Sequence, residues 1–147
     1  MSDPNTIKHI LAELRDVNKE KRRTAVMKLG MLGGDQAVRA LIRALTNEHE
    51  DLIVRGRAAL MLGKLRDTRA VDPLIDALDA PGFQTPVYAA QALGEIGDKR
   101  ALAPLLTLYH EGRGKVRDAA TEALIRLGYN PCEEESQTSL PEPQPEV

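Results

Sequence analysis

Aromatic residues are nearly absent from this 147-residue chain, which has no Trp, one Phe and three Tyr, 3% of the sequence. Its core must therefore be built from Ala, Leu, Ile and Val. Ala and Leu lead the apolar helix formers, whereas strands draw on aromatic and β-branched residues, so the composition favours an all-α fold. Cysteine is confined to Cys132, which excludes an internal disulfide. An excess of one charge sign is also missing, and a formal net charge of −2 excludes a strongly basic polyanion binder. Lys, Arg, Asp or Glu recurs throughout the first 128 positions, so no apolar run approaches the ~18 residues of a membrane helix. The opening MSDPNTIKHI has neither a basic segment leading into an apolar run nor a cleavage site, and a cytoplasmic protein without a membrane partner is expected.

What the chain does contain is a repeat. RTAVMKLGMLGGDQAVRALIRAL, RAALMLGKLRDTRAVDPLIDAL and YAAQALGEIGDKRALAPLLTLY superimpose Ala25, Ala58 and Ala89, then Leu29, Leu62 and Leu93, then Gly30, Gly63 and Gly94. A partial fourth copy, AATEALIRLG, adds Ala120 and Leu124. The register runs on through Ala37, Ala70 and Ala101 and through Leu41, Leu74 and Leu105. A constant period near 32 residues specifies a solenoid, in which each unit packs on its neighbours.

Within a unit the apolar spacing is helical: Ala58, Ala59, Leu62 and Leu65 form one stripe and Val71, Leu74, Ile75 and Leu78 another. Each unit is thus an antiparallel helix pair. Gly33-Gly34-Asp35, Arg66-Asp67-Thr68 and Gly97-Asp98-Lys99 divide the pairs, Gly ending one helix and Asp capping the next. Pro73 and Pro104 belong in opening turns, and Thr85-Pro86 reads as an N-cap followed by the first helical residue. The spacing predicts about eight helices, near 5–16, 19–32, 35–46, 50–65, 68–80, 85–96, 99–111 and 114–128. Residues 1–128 form the solenoid, with a half-repeat cap at 5–18, repeats at 19–49, 50–83 and 84–113, and a charged capping helix at 114–128. Residues 129–147 carry Glu133, Glu134, Glu135, Glu142 and Glu146 and no Lys or Arg, so a tail of −5 follows a solenoid of +3. This acidic, Pro-rich tail is expected to be disordered and to contact the basic side near Lys21, Arg22, Arg23, Arg39 and Arg43, in competition with an acidic partner.

The pattern VRxxAAxALGxLGDxRAxxPLxxAL, seen from Val54-Arg55 to Leu78 and again from Ala89 to Leu108, resembles the HEAT-like repeats of the phycobilisome-lyase type. The resemblance implies a right-handed α-solenoid and several functions: bilin lyase subunits, phycobilisome assembly or degradation factors, iron-dependent hydroxylases of the deoxyhypusine type, and modules that only hold partners. The hydroxylases carry His-Glu pairs where this chain has Arg23-Thr24, Gly56-Arg57, Val87-Tyr88 and Asp118-Ala119. His49-Glu50 lies in a loop and His110-Glu111 ends a second helix, on the order of 20 Å apart at a helix spacing of about 10 Å, too far to share one ion. Cys132 sits beside three Glu and no cation, which does not favour an activated thiolate. No catalytic, cofactor or metal residue is therefore assigned. The chain is read as a non-catalytic scaffold for another protein, with a bilin lyase subunit or phycobilisome factor as the alternative. A solenoid of +3 is a weak field for nucleic acid, which is not the expected partner.

Two kinds of position stand out as candidate partner contacts. Along the concave second-helix face Arg39 and Asp72 occupy one column and Arg43 and Asp76 the next, so Arg39 is expected to face Asp72 and Arg43 to face Asp76. Such pairs read either as an intramolecular ladder or as a mixed-charge groove. The other positions break polarity between copies. Met27 and Leu60 align with Gln91 and Glu122, and Met31 aligns with Lys64, Glu95 and Arg126, giving a Met-rich patch that a neighbouring helix could alternatively cover. Phe83 and Tyr88 precede and open the third repeat, and Tyr88, aligned with Thr24, Arg57 and Ala119, is expected to be exposed.

Overall fold

A computed structural model describes residues 4–133. These form eight α-helices and two short 3₁₀ turns: α1 Pro4–Glu13, α2 Lys19–Leu32, α3 Asp35–Thr46, α4 Leu52–Leu65, α5 Val71–Ala77, α6 Gln84–Ile96, α7 Leu102–Glu111 and α8 Lys115–Arg126, with the turns Thr68–Ala70 and Lys99–Ala101 leading into α5 and α7. The fold is an all-α solenoid. First helices α2, α4, α6 and α8 stack in one layer, and α1, α3, α5 and α7 supply the other, which is more loosely joined.

The repeat columns are the core. Ala25, Ala58, Ala89 and Ala120 are fully buried, as are Leu29, Leu62, Leu93 and Leu124, and the second-helix columns Ala37, Ala70, Ala101 and Leu41, Leu74, Leu105 are equally inaccessible. Small residues set the spacing between repeats. A Cβ on Gly63 would stand 2.6 Å from the Ala92 backbone, and one on Gly94 3.0 Å from that of Ala123, so the glycine column permits first helices to touch. Each Leu so buried contributes roughly 1.5–3 kcal/mol, which lets a chain with few aromatics hold together without a central core.

The helix junctions follow the expected chemistry with two exceptions. Asp67 accepts from the Arg69 amide and Asp98 from the Arg100 amide, while Gly97 (φ 79°) and Arg66 (φ 52°) take the left-handed turn that ends α6 and α4. Pro73 and Pro104 are third residues of their helices. Asp35, in contrast, is the first residue of α3 behind Gly34 and caps nothing. Thr85 does not cap α6 either: the helix starts at Gln84 behind Phe83, and the buried Thr85 hydroxyl instead donates to the Leu52 carbonyl at 3.4 Å, tying α6 to the start of α4.

An arginine in α2, α4 and α8 ties each of these helices to the preceding one, Pro86 taking the same column in α6. Arg22 donates to the carbonyls of Asp16 (2.7 Å) and Val17 (3.0 Å), the buried Arg55 to that of Leu45 (3.0 Å), and Arg117 to the Tyr109 hydroxyl (3.0 Å) with its guanidinium 4.5 Å from that ring. A cation at the carboxyl end of the previous helix also offsets its dipole.

Packing continues past the expected boundary at 128. Gly128 (φ 90°) ends α8, Tyr129 packs against the core, Pro131 is buried, and Asn130 accepts from the Cys132 amide at 3.0 Å. This is the same cap that Asp98 and Asp67 make one and two repeats earlier. Cys132 itself is exposed. The rest of the tail, 134–147, lies outside the described residues.

Candidate protein-binding face

The second-helix face carries two grooves of opposite charge. One, of about 450 Å³, lies between α1 and α3. Its floor is Leu11, Leu14, Ala40 and Ala44, and Arg15, Arg39 and Arg43 stand around it. Glu50 also reaches it, but its carboxylate accepts from Arg22 at 3.0 Å. Among the described residues Arg15 and Arg43 make no ion pair, so their charge faces solvent. The other groove, of about 180 Å³ between α5 and α7, is bordered by Asp76, Asp79 and Glu111 over Ile75, Leu78 and Leu108.

The ion pairs that cross between repeats are not those the columns suggested. Arg39 pairs with Asp35 one turn earlier on its own helix (3.2 Å), and Asp72 pairs with Arg100 of the next repeat (3.5 Å). Arg43 and Asp76 pair with nothing described and instead line the two separate grooves. An i,i+4 carboxylate is within easy reach of Arg39, whereas the ladder is carried by the arginine two residues after each capping Asp. Arg69 holds its own Asp67 at 2.7 Å and also reaches Asp35, and Arg100 holds Asp98 at 3.0 Å and also reaches Asp72. Hydrogen bonds from these arginines hold Asp35, Asp67 and Asp98 below the usual carboxylate range, and the carboxylates in turn push the Arg69 guanidinium up.

The basic side is also narrower than expected. Arg23 is gripped by Asp51 and by Glu20, Arg22 by Glu50, and Lys21 lies 3.7 Å from Asp16. Of the five basic residues expected on that side only Arg43 makes no ion pair among the described residues, and it shares the α1–α3 groove with Arg15, which the sequence reading passed over. The column Arg15, Thr46, Asp79, His110 contains the signal, since it changes from cation to anion along the solenoid as the grooves do.

The polarity-breaking positions divide. Met27 and Leu60 are half-buried and pack against the core, so the covered reading holds for both. Met31 is 84% exposed and borders an apolar groove of about 420 Å³ with Ile10 and Leu32 between α1 and α2. Phe83 is 53% exposed beneath the Lys115 ammonium, 5.6 Å from its ring. Tyr88, expected to be exposed, is half-buried: Gly56 of the previous repeat leaves room for its ring, which a Cβ there would meet at 3.3 Å.

Such a face, made of paired helices stacked in register with open charged grooves, defines a repeat solenoid whose surface is suited to holding another macromolecule. The chain belongs to the HEAT-repeat family: residues 7–85 match HEAT repeats, and residues 86–110 match the PBS lyase HEAT-like repeat. It is 37% identical over 83 residues to the phycocyanobilin lyase subunit alpha of Picosynechococcus sp., covering 53% of this chain and 31% of that protein. It is 37% identical over 75 residues to the bilin biosynthesis protein PecE of Nostoc sp., covering 50% of this chain and 30% of the relative. The chain thus spans under a third of either relative. Among solved structures, the complex of CpcE and CpcF of phycocyanin lyase from Nostoc sp. contains a chain that superimposes with a TM-score of 0.73 at 31% identity, covering 86% of this chain and 55% of that one. Human deoxyhypusine hydroxylase superimposes at 0.72 with 24% identity over 97% of this chain and 49% of that one, a likeness of fold alone.

These relatives correct one expectation. The chain was expected not to be an enzyme, and the similar proteins are named as a lyase subunit and as part of a lyase complex. A hydroxylase iron site finds no fit in the residues present. At the corresponding positions Arg23 is bound to Asp51, Gly56 is buried against Tyr88, Val87 and Ala119 offer no ligand atom, and Asp118 is a lone carboxylate with no cluster of His, Cys, Asp or Glu around it among the described residues.

Proposed function

We propose that the chain acts as a subunit of the bilin-lyase type, its own share of the work being to hold a protein partner on the second-helix face. The observation that carries this reading is the pair of grooves, basic between α1 and α3 and acidic between α5 and α7, on the one face of a solenoid whose named relatives are lyase subunits. Opposite charge at the two ends fixes the direction in which an extended partner lies and disfavours the reversed one. The partner is a phycobiliprotein chain or a second lyase subunit, and the work takes place in the cytoplasm. Among the described residues no helix is long and apolar enough to cross a membrane.

The test is co-expression of the full chain with a phycobiliprotein apo-subunit, a bilin source and a second HEAT-repeat subunit. Covalent attachment is read as visible absorbance that stays with the apo-subunit on denaturing electrophoresis. Attachment that depends on this chain and falls in Arg39→Glu/Arg43→Glu and in Asp76→Lys/Asp79→Lys supports the reading. Attachment at the same yield without the chain, or no co-purification with any of these proteins, overturns it.

A further inference from the structure

The charges of the second-helix face form a pattern that a second copy of the chain reverses. On α1, α3 and the residues that end them, Lys8, Arg15 and Arg43 make no ion pair among the described residues, while Glu13 is held by Lys28 and Arg39 by Asp35. On α5, α7 and the residues that end them, Asp76, Asp79 and Glu111 make none among the described residues, while Asp72 is held by Arg100. All of these unpaired residues are exposed. We propose that two copies of the chain associate through this face about a two-fold axis that runs parallel to the second helices between α3 and α5, so that the basic groove of each covers the acidic groove of the other.

The repeat itself sets which residues meet. Rotation about such an axis exchanges the two ends of the solenoid and keeps height along the helices, so residues of one column face each other across the interface. Arg43 and Asp76 share a column in neighbouring repeats and line the two grooves, so each meets the other in the second copy, twice per dimer. Arg15, in the column of Asp79 and His110, comes over the end of α7 beside Glu111. Lys8 shares the column of Arg39, Asp72 and Ala103 and comes over Ala103, which adds no like-charge contact. Arg39 and Asp72, nearest the axis, keep their internal partners at 3.2 and 3.5 Å. Other cations without an ion pair among the described residues, such as Lys19 and Arg113, sit in a first helix or in a turn, off the second helices. Leu11 and Leu14 in one groove and Ile75, Leu78 and Leu108 in the other are covered as the charges meet. Four helices at a spacing of ~9–10 Å, each ~15 Å long, make a face of roughly 600 Å². This is below the ~800 Å² per partner of a standard interface. Association is therefore weak, and salt or a partner that takes the same face releases it. The inference stands apart from the lyase reading, since the chain alone suffices to test it.

The experiment is sedimentation equilibrium on the full chain, from micromolar to near-millimolar concentration, at low and high salt. The expected result at low salt is a monomer that converts to a dimer, and to nothing larger, as concentration rises, with the dimer lost at high salt. Arg15→Glu/Arg43→Glu turns the basic groove acidic and Asp76→Lys/Asp79→Lys turns the acidic groove basic, so each variant opposes like charge to itself and is expected to stay monomeric. An equal mixture of the two is expected to form a dimer, and that recovery also shows both variants to be folded. Should either reversal unfold the chain by circular dichroism, Arg15→Gln/Arg43→Gln and Asp76→Asn/Asp79→Asn replace them, each expected to lose most of the parent's dimer. A parent that is monomeric at every concentration overturns the proposal. So do oligomers that grow past the dimer, a dimer that either set of variants leaves intact, and folded charge-reversal variants that stay monomeric when mixed.

Discussion

Arg23 of α2 grips Asp51 of the next repeat with two nitrogens, Nε at 2.8 Å and Nη2 at 3.1 Å, while the same carboxylate accepts the Val54 amide at 3.2 Å and caps α4. One side chain thus joins two repeats and begins a helix. Asp51→Ala loses the cap, about 1 kcal/mol, in addition to the pairing. Asp51→Asn keeps an acceptor for the cap and loses only the charge. Urea melts are expected to place Asp51→Ala below Asp51→Asn, and equal midpoints would show that the cap contributes nothing.

Acid should weaken the junctions together. Asp35, Asp51, Asp67 and Asp98 all lie below the usual carboxylate range, each because an arginine donates to it. Their depressed folded pKa means the unfolded chain binds protons first, so their contribution is present above the unfolded value of about 4 and is lost as pH falls through the folded values. The urea midpoint should hold from neutral pH to about 5 and drop below about 4, more shallowly in Asp51→Asn.

Gly63→Ala sets helix propensity against packing. Alanine gains about 1 kcal/mol in an isolated helix. Here its Cβ meets the Ala92 backbone at 2.6 Å, which no rotamer change relieves, so the substitution should destabilise by roughly 1–3 kcal/mol net. Gly94→Ala, at 3.0 Å from the Ala123 backbone, should cost less. A more stable Gly63→Ala in thermal melts would contradict the close contact of α4 and α6.

Arg55→Met preserves much of the side chain's volume and removes the donor to the buried end of α3. Leaving the Leu45 carbonyl unpaired costs about 1–3 kcal/mol. Hydrogen exchange should loosen first at the last turn of α3, and unchanged protection there would remove the proposed role of the arginine.

Met27→Glu and Met31→Glu lie four residues apart but should behave differently. Met27 packs against the core, and placing a carboxylate there is destabilising, whereas Met31 is 84% exposed and its substitution should leave the melting temperature nearly unchanged. Any loss of a partner in Met31→Glu therefore reports on the surface itself.

The sequence by itself determined the solenoid, its period, its paired helices and its core, because those follow from 3.6-residue spacing and from columns of Ala, Leu and Gly small enough to pack in register. The columns also marked Arg39, Arg43, Asp72 and Asp76 as residues of the second-helix face. What the columns could not supply was pairing. Whether Arg39 meets Asp72 or Asp35 depends on the reach and rotamer of long side chains across a curved stack, and alignment between repeats does not encode that. The same holds for Tyr88 beside Gly56 and for Met27 against Met31, whose burial is set by the neighbouring helix rather than by their own. Only the tertiary structure gathered Arg15, Arg39 and Arg43 into one groove and Asp76, Asp79 and Glu111 into another, because each groove is the space between helices from different repeats.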